Sequence, residues 1–298
     1  MIVRPIQFSH PMNFSVIATD LDGTLFYPKK KIRMVSKKTK QFIRRYTEDG
    51  GKVLLVTGRN RFFGDKTGRK TKQVYDFIAC NGAIVVSNGE VIFERPFPNE
   101  IAQKLVNELS IEVSPKITFL FTKDHNMVSQ RKPLRNWVKV GYSLYRFWQG
   151  TYREPFYRSD KIFKQELDHG KIYKIMMFPG FGKKSIEVSS NLAKKLQSMY
   201  PEINIVASDQ ALEITYTGCT KSQGLAYYLE YNHINVDNVV VVGDSGNDVS
   251  MFKAFPKNSF CMSHGAEDVK QQASFIIDHF SELENYVYPS AETTATND

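Results

Sequence analysis

Three short apolar runs, at 14–19, 52–56 and 77–80, punctuate the first quarter of the chain, with polar or amphipathic stretches between them. Each is of strand length and carries β-branched or aromatic residues. Ser36 is placed to cap a helix through Phe42, Ile43 and Tyr46 that ends near Asp49, Gly50 and Gly51. Residues 28–33 read as a basic connector, and a polar helix is predicted over 61–73. The strands run into Asp20-Leu21-Asp22-Gly23-Thr24-Leu25, Thr57-Gly58-Arg59 and Asn81-Gly82. Strands that alternate with helices and end in polar or glycine residues predict a parallel sheet with its site along the carboxyl edge.

The pattern changes at residue 83. Apolar runs at 84–86 and 91–93 flank Asn88-Gly89, a hairpin-turn signature. A helix is predicted near 98–109 and an amphipathic one over 184–199. Strands are predicted at 116–122, 171–178, 203–207 and 212–215. Residues 123–168, rich in Tyr, Phe, Trp and Arg, carry no assignable period. Trp137 and Trp148 read as core of this section rather than as a sugar platform, and Asp209 and Glu213 as surface or hinge residues.

Alternation then returns. Thr220 or Ser222 opens a helix through Leu225, Tyr228 and Leu229, and the run at 238–242 leads into Gly243-Asp244-Ser245-Gly246-Asn247-Asp248. A short helix to Phe252, a strand at 259–262, a helix at 266–273 and a strand at 275–277 complete the pattern. The tail at 289–298 is small and polar and is predicted to be disordered. The reading is a discontinuous core, 1–82 and 212–288, interrupted by an α/β unit at 83–211. Two domains suit a chain of 298 residues.

Composition then narrows compartment and partners. A hydrophobic content of 42% is ample for globular packing. No apolar run reaches the roughly 18 residues a membrane span needs, and residues 1–7 lack the apolar stretch of a signal peptide. A cytoplasmic chain with no membrane partner is expected. Cys80, Cys219 and Cys261 are scattered, without CxxC spacing, and read as buried hydrophobes in a reducing compartment. The net charge of +9 raises nucleic acid as a partner. The basic residues are spread along the chain with no recognisable nucleic-acid module, so attraction of small anionic substrates is the more economical use.

Asp20 and Asp22 lie two residues apart where the first strand ends, and Gly23 lets the loop turn so that both converge on one ligand. Close carboxylates repel and stay ionised together only around a cation, for which hard Mg²⁺ is the usual choice with oxygen ligands.

Four polar clusters follow in order: the DLDGTL hexad, Val56-Thr57-Gly58-Arg59, the lone Lys221 at a helix start, and the acidic loop ending in Asp248. In order and context they resemble the four signature elements of the haloacid dehalogenase (HAD) superfamily of phosphotransferases. The insertion between the second and third resembles the α/β (C2-type) cap of the Cof-type, class IIB subgroup, and Asn81-Gly82-Ala83 matches a further mark of that subgroup. The resemblance spans about residues 14 to 285 and implies a Rossmann-like α/β core with a parallel sheet plus the inserted cap.

It also implies roles. Asp20 would be the nucleophile, forming an aspartyl-phosphate, and Asp22 the general acid and then base. Asp20, Asp22 through its backbone carbonyl, and Asp244 would hold Mg²⁺. Thr57, by its hydroxyl and N–H, would hold the phosphoryl group together with Gly58, Lys221 and Asn247. Asp248 would orient Lys221 or a metal water. Arg59 would touch substrate or pair with an acid, and Asn81 would face the site. Two positions depart from the subgroup: Ser222 stands where Gly is usual, and Ser263-His264-Gly265 where Gly-Asn-Ala is usual. The GDSGND loop also resembles sucrose-phosphate phosphatases of the same cap class.

The expected function is a Mg²⁺-dependent phosphomonoester hydrolase acting on small phosphorylated metabolites such as sugar phosphates. Its rivals are a phosphomutase on the same scaffold and a non-catalytic anion or nucleic-acid binder. The intact Asp20 argues against the binder, which has no need of an anionic nucleophile facing an anionic ligand.

Overall fold

The structure, a computed structural model, describes residues 13–27, 35–60, 67–68, 73–130, 155–182, 184–208 and 210–288. The readings for 1–12, the basic connector, most of the helix at 61–73, Trp137, Trp148, Asp209 and the tail at 289–298 lie outside the described residues.

In chain order, β1 (Val16–Thr19), α1 (Lys37–Glu48), β2 (Lys52–Val56), β3 (Asp76–Ala79), β4 (Ile84–Ser87) and β5 (Glu90–Glu94) open the chain. Next come α2 (Asn99–Val113), β6 (Ile117–Thr122), β7 (Asn126–Ser129), β8 (Tyr157–Arg158), α3 (Asp160–His169), β9 (Ile172–Phe178), α4 (Lys184–Met199), β10 (Ile203–Ser208) and β11 (Ala211–Tyr216). The chain closes with α5 (Lys221–Tyr231), β12 (Val239–Gly243), α6 (Val249–Ala254), β13 (Ser259–Met262), α7 (Glu267–Lys270), β14 (Phe275–Ile277) and α8 (Glu284–Val287).

Two sheets result. The first has the order β14-β13-β12-β1-β2-β3-β4-β5. It is parallel from β14 to β3 and antiparallel across β4 and β5. Its central strands β1, β2 and β12 are almost wholly apolar and buried because both faces are covered. Ile17, Leu55, Phe77, Val240 and Val242 pack on one side with Phe42, Ile43 and Tyr46 of α1. Val16, Ala18, Leu54, Ile78, Val239 and Val241 pack on the other with Leu225, Tyr228 and Leu229 of α5. The chain winds outward from β1 in both directions, to β2 and β3 on one side and to β12 and β13 on the other. The loops after β1 and β12 therefore meet at a topological switch point, where open α/β sheets bind ligands.

The second sheet, β10-β11-β9-β6-β7-β8, is antiparallel except for its β7–β8 pair. One face carries Leu120, Ile175, Met177, Leu212 and Ile214 against Leu105 and Leu109 of α2, Phe163 of α3 and Leu196 of α4. Strand membership differs from the sequence reading at two places. The hairpin β4–β5, turned at Asn88 (φ +52°) and Gly89 (φ +83°), was read with the inserted unit; it hydrogen-bonds through β3 into the first sheet. β11, whose larger part was read as the start of the returning core, completes the second sheet between β9 and β10. Ladder pairing, which apolar runs alone do not specify, settles both. Cys80, Cys219 and Cys261 are buried free thiols. Among the described residues, no helix is long and apolar enough to cross a membrane.

Candidate active site

Asp20 follows β1 directly. Residues Leu21–Leu25 wind into a wide turn in which the Leu25 N–H donates to the Asp20 carbonyl at 3.3 Å and the Phe26 N–H to that of Leu21 at 3.0 Å. Gly23 makes the turn fit. Its φ is +90°, and any Cβ there would collide with the Asp244 carboxylate. The loops after β1 and β12 are thereby brought together, and the Thr24 hydroxyl donates to Asp244 Oδ1 at 3.0 Å.

Lys221 is delivered by the first turn of α5, which Thr220 caps by accepting the Gln223 N–H at 3.2 Å. Its Nζ lies 2.7 Å from Asp20 Oδ1 and 2.6 Å from Asp248 Oδ1, with the side chain fully buried. Burial alone would push its ammonium down; the two carboxylates together hold it above its usual range. Asp248 Oδ2 accepts the N–H groups of Asp244 and Ser245, each at 3.0 Å.

Asp20, Asp244 and Asp248 offer carboxylate oxygens that all lie within 4.8 Å of one another. Burial raises the Asp20 carboxyl well above the usual carboxylate range; Lys221 opposes this, and Asp248, Asp244 and Asp22 add to it. Asp244 is raised as well, by burial first, with the hydrogen bond from His264 opposing. These are the electrostatics of a site that accommodates positive charge. Both Asp248 oxygens are taken up by Lys221 and by N–H groups, so Asp20 and Asp244 are the pair whose chemistry fits a hard divalent cation. His264 stands at one of the two departures from the subgroup pattern. Its Nε2 lies 3.4 Å from Asp244 Oδ2, and its ring stacks on Tyr27 with centroids 4.0 Å apart.

The side chain of Asp22 is turned elsewhere. Arg59 grips it bidentately, Nη2 to Oδ1 at 2.9 Å and Nε to Oδ2. Of the two alternatives read for Arg59, pairing with an acid is the one present in this arrangement. Thr57 is buried at the end of β2, and its hydroxyl accepts the Arg59 N–H at 3.1 Å. The expectation that its own N–H would serve a ligand needs correction: that N–H donates to the Ile78 carbonyl at 2.8 Å, because the β2–β3 ladder extends one residue beyond the strand.

Asn81 adopts a left-handed backbone, φ +55°, just past β3. Its Nδ2 donates to Glu213 Oε2 at 2.5 Å, while Asn247 Nδ2 lies 3.3 Å from Asn81 Oδ1 and 3.5 Å from Glu213 Oε2. Glu213, read as a surface or hinge residue, is therefore a buried member of this cluster. Lys174 of β9 joins it, pairing with Glu213 Oε1 at 3.4 Å and donating to the Gly58 carbonyl. Neither was singled out for chemistry in the sequence. On a strand whose other face is apolar, a lone charge reads as solvent-facing, and only the placement of the second sheet over the first shows otherwise.

Asp20, Thr57, Gly58, Asn81, Lys221, Asp244, Asn247 and Asp248 thus gather at the carboxyl ends of β1, β2, β3 and β12, with Asp22 and Arg59 paired beside them. Known proteins resemble this chain in fold and in sequence. A haloacid dehalogenase-like hydrolase from Bacillus subtilis superposes with a TM-score of 0.74 at 21% identity, covering 91% of this chain and 99% of that one. The pyridoxal phosphate phosphatase YbhA of Escherichia coli K12 is 26% identical over 89% of this chain and 94% of its own length. The 5-amino-6-(5-phospho-D-ribitylamino)uracil phosphatase YcsE of Bacillus subtilis is 22% identical over 90% and 91%. Residues 17–284 match a single family, and this chain belongs to the haloacid dehalogenase-like hydrolases.

Proposed function

We propose that this protein is a Mg²⁺-dependent phosphatase that releases inorganic phosphate from small phosphomonoesters, such as sugar phosphates, through an aspartyl-phosphate on Asp20. The observation that carries the reading is the setting of Asp20: a buried carboxylate at the end of the central strand, 2.7 Å from a buried lysine and within 4.8 Å of the Asp244 carboxylate. A pocket for an anion alone would not place an acid there.

In the first half-reaction an Asp20 carboxylate oxygen attacks phosphorus, a P–O bond to Asp20 forms, and the ester P–O bond breaks. The departing alkoxide takes a proton from Asp22, which for this step turns from Arg59 toward the ester oxygen. In the second half-reaction Asp22 takes a proton from water, the water oxygen attacks phosphorus, and the acyl-phosphate bond breaks to return Asp20 and free phosphate. Lys221 offsets the charge of Asp20 and of the phosphoryl oxygens, and Asp248 holds Lys221 in line. The Thr57 hydroxyl, the Gly58 N–H and the Asn247 amide serve the phosphoryl oxygens. Asp20, Asp244 and the Asp22 carbonyl would hold Mg²⁺, which would supply further positive charge to the site. The names of the pyridoxal phosphate and ribitylaminouracil phosphate phosphatases support a small phosphorylated metabolite as substrate.

The test is phosphate release from a panel of sugar phosphates, nucleotides and pyridoxal and flavin phosphates, with Mg²⁺ or with EDTA. Wild type is expected to turn over with Mg²⁺ only, and Asp20→Asn to lose at least about 10³-fold in kcat. Substrate rearrangement without free phosphate would move the assignment to a mutase. Equal rates in Asp20→Asn would sink the covalent mechanism.

A further inference from the structure

Lys174 and Glu213 belong to the second sheet, yet their polar atoms bond to loops of the first. Lys174 donates to the Gly58 carbonyl after β2. Glu213 accepts from Asn81 after β3 at 2.5 Å and lies 3.5 Å from the Asn247 amide after β12. The two are 3.4 Å apart and both are buried. Gly58 leaves the room they need: a Cβ there would come within 3.0 Å of Glu213 Oε2 and 2.9 Å of Asn81 Oδ1. The remainder of the Lys174 ammonium rests over the Phe121 ring at 4.3 Å.

A buried ion pair is poor value as a stability device. Well-packed apolar residues in its place are often as stable or more so, and the desolvation of two charges is not repaid by Coulomb attraction alone. What this pair supplies is geometry: a cation aimed at a carbonyl of one loop and an anion aimed at the amides of two others. Those acceptors and donors sit on three separate loops, the same three that carry Thr57, Asn81 and Asn247.

We infer that Lys174 and Glu213 form a latch: positioning residues that dock the second sheet on the first in one register and, through Gly58, Asn81 and Asn247, fix the loops on which the phosphoryl group is to lie. This rests on the phosphatase reading for its effect on rate, but not for its effect on closure. The latch is made entirely of protein groups. Breaking it therefore lowers turnover by the same factor whatever leaving group the substrate carries, whereas a substrate-contacting residue would discriminate.

The experiment uses the full chain with Lys174→Met, Glu213→Gln and the double variant, which leaves no unpaired buried charge and so guards against misfolding of the singles. Kinetics are read with at least three phosphomonoesters of different leaving-group size. Each single variant is expected to lose about 10- to 100-fold in kcat, by one common factor across the esters, as loosened loops misplace the reacting groups. KM is expected to stay within about threefold, and the double variant to be no slower than the worse single, as groups acting as one unit behave. Small-angle X-ray scattering gives a readout that needs no activity, and the variants are expected to show a larger radius of gyration than wild type. Unchanged kcat with unchanged scattering overturns the latch. So does a loss that varies with the leaving group, which would make these residues substrate contacts. A wild type that releases no phosphate from any ester defeats the phosphatase reading, and the scattering comparison still decides the latch on its own.

Discussion

At the scale of single residues, the acidic cluster dictates how stability responds to pH and metal. Asp20 and Asp244 both have carboxyls raised above 3.8 in the folded protein, chiefly by burial. A carboxyl with a higher pKa folded than unfolded binds its proton more tightly in the native state. Its contribution is present in acid and is lost as pH rises from the unfolded value through the folded one. Metal-free protein should therefore lose stability over that rise, and Mg²⁺ should restore it by ligating the ionised pair. Thermal melts are expected to show a larger Mg²⁺-induced gain in Tm at pH 7.5 than at pH 5, and the gain should vanish in Asp244→Asn. An equal gain at both pH values would argue that Mg²⁺ binds elsewhere. The signature residues themselves were legible because they sit where an apolar run stops or, for Lys221, where a helix starts, which is visible in one dimension. Glu213 and Lys174 were not, because their partners are 132 and 116 residues away along the chain. Nor could the sequence show that Arg59 would hold Asp22, since nothing in the spacing tells a substrate contact from an ion pair.

At the scale of elements, the position of Lys221 depends on how closely α5 approaches the turn after β3. Gly224, one turn into α5, has no room for a side chain: a Cβ would come within 2.7 Å of Ile78 Cγ2 and 2.9 Å of Gly82 Cα. Gly82 in turn, at φ +101°, is pressed against the Thr220 carbonyl. Gly224→Ala gains helix propensity but overpacks this contact. It is expected to cost about 1–3 kcal/mol of stability, read as a lower Tm. By tilting Lys221 away from Asp20, it should also lower kcat by about 10-fold or more. A more stable variant of full activity would show that the turn yields instead. Such contacts are invisible in sequence, although α5 itself was read, with Thr220 as one of two candidate openings and the one that caps it. The strands buried on both faces were the easiest elements to read, because they are apolar without a break. β8 spans two residues, and α3 buries only Phe163 and Glu166. Neither offers enough periodic signal to stand out among the aromatic and basic residues around it.

At the scale of the whole molecule, the first sheet is assembled from two separated parts of the chain, and the second sheet is strung between them. The chain crosses outward after β5 and back after β11. The crossings are held side by side by the Cys219 thiol on the Arg95 carbonyl at 3.7 Å and by the Arg95 guanidinium against Gly218. β1 pairs with β12, and the residues where that pairing begins, Ser15 and Asn238, are 223 positions apart. At ordinary translation rates this separation corresponds to roughly 10–45 s during which β1 has been made and its partner has not. A chain cut after residue 220 should therefore leave one edge of β1 unpaired. Its Ala18 and Asp20 amides, which face β12, are expected to exchange with solvent far faster than in the full chain, and a soluble fragment with both amides protected would contradict this. The order of synthesis has a further effect. Lys221, Asp244 and Asp248 all emerge after every strand of the second sheet, so the carboxylate cluster around Asp20 is completed only after that sheet has been made. A chain that ends before residue 221 therefore holds Asp20 without the lysine and the carboxylates that set its charge.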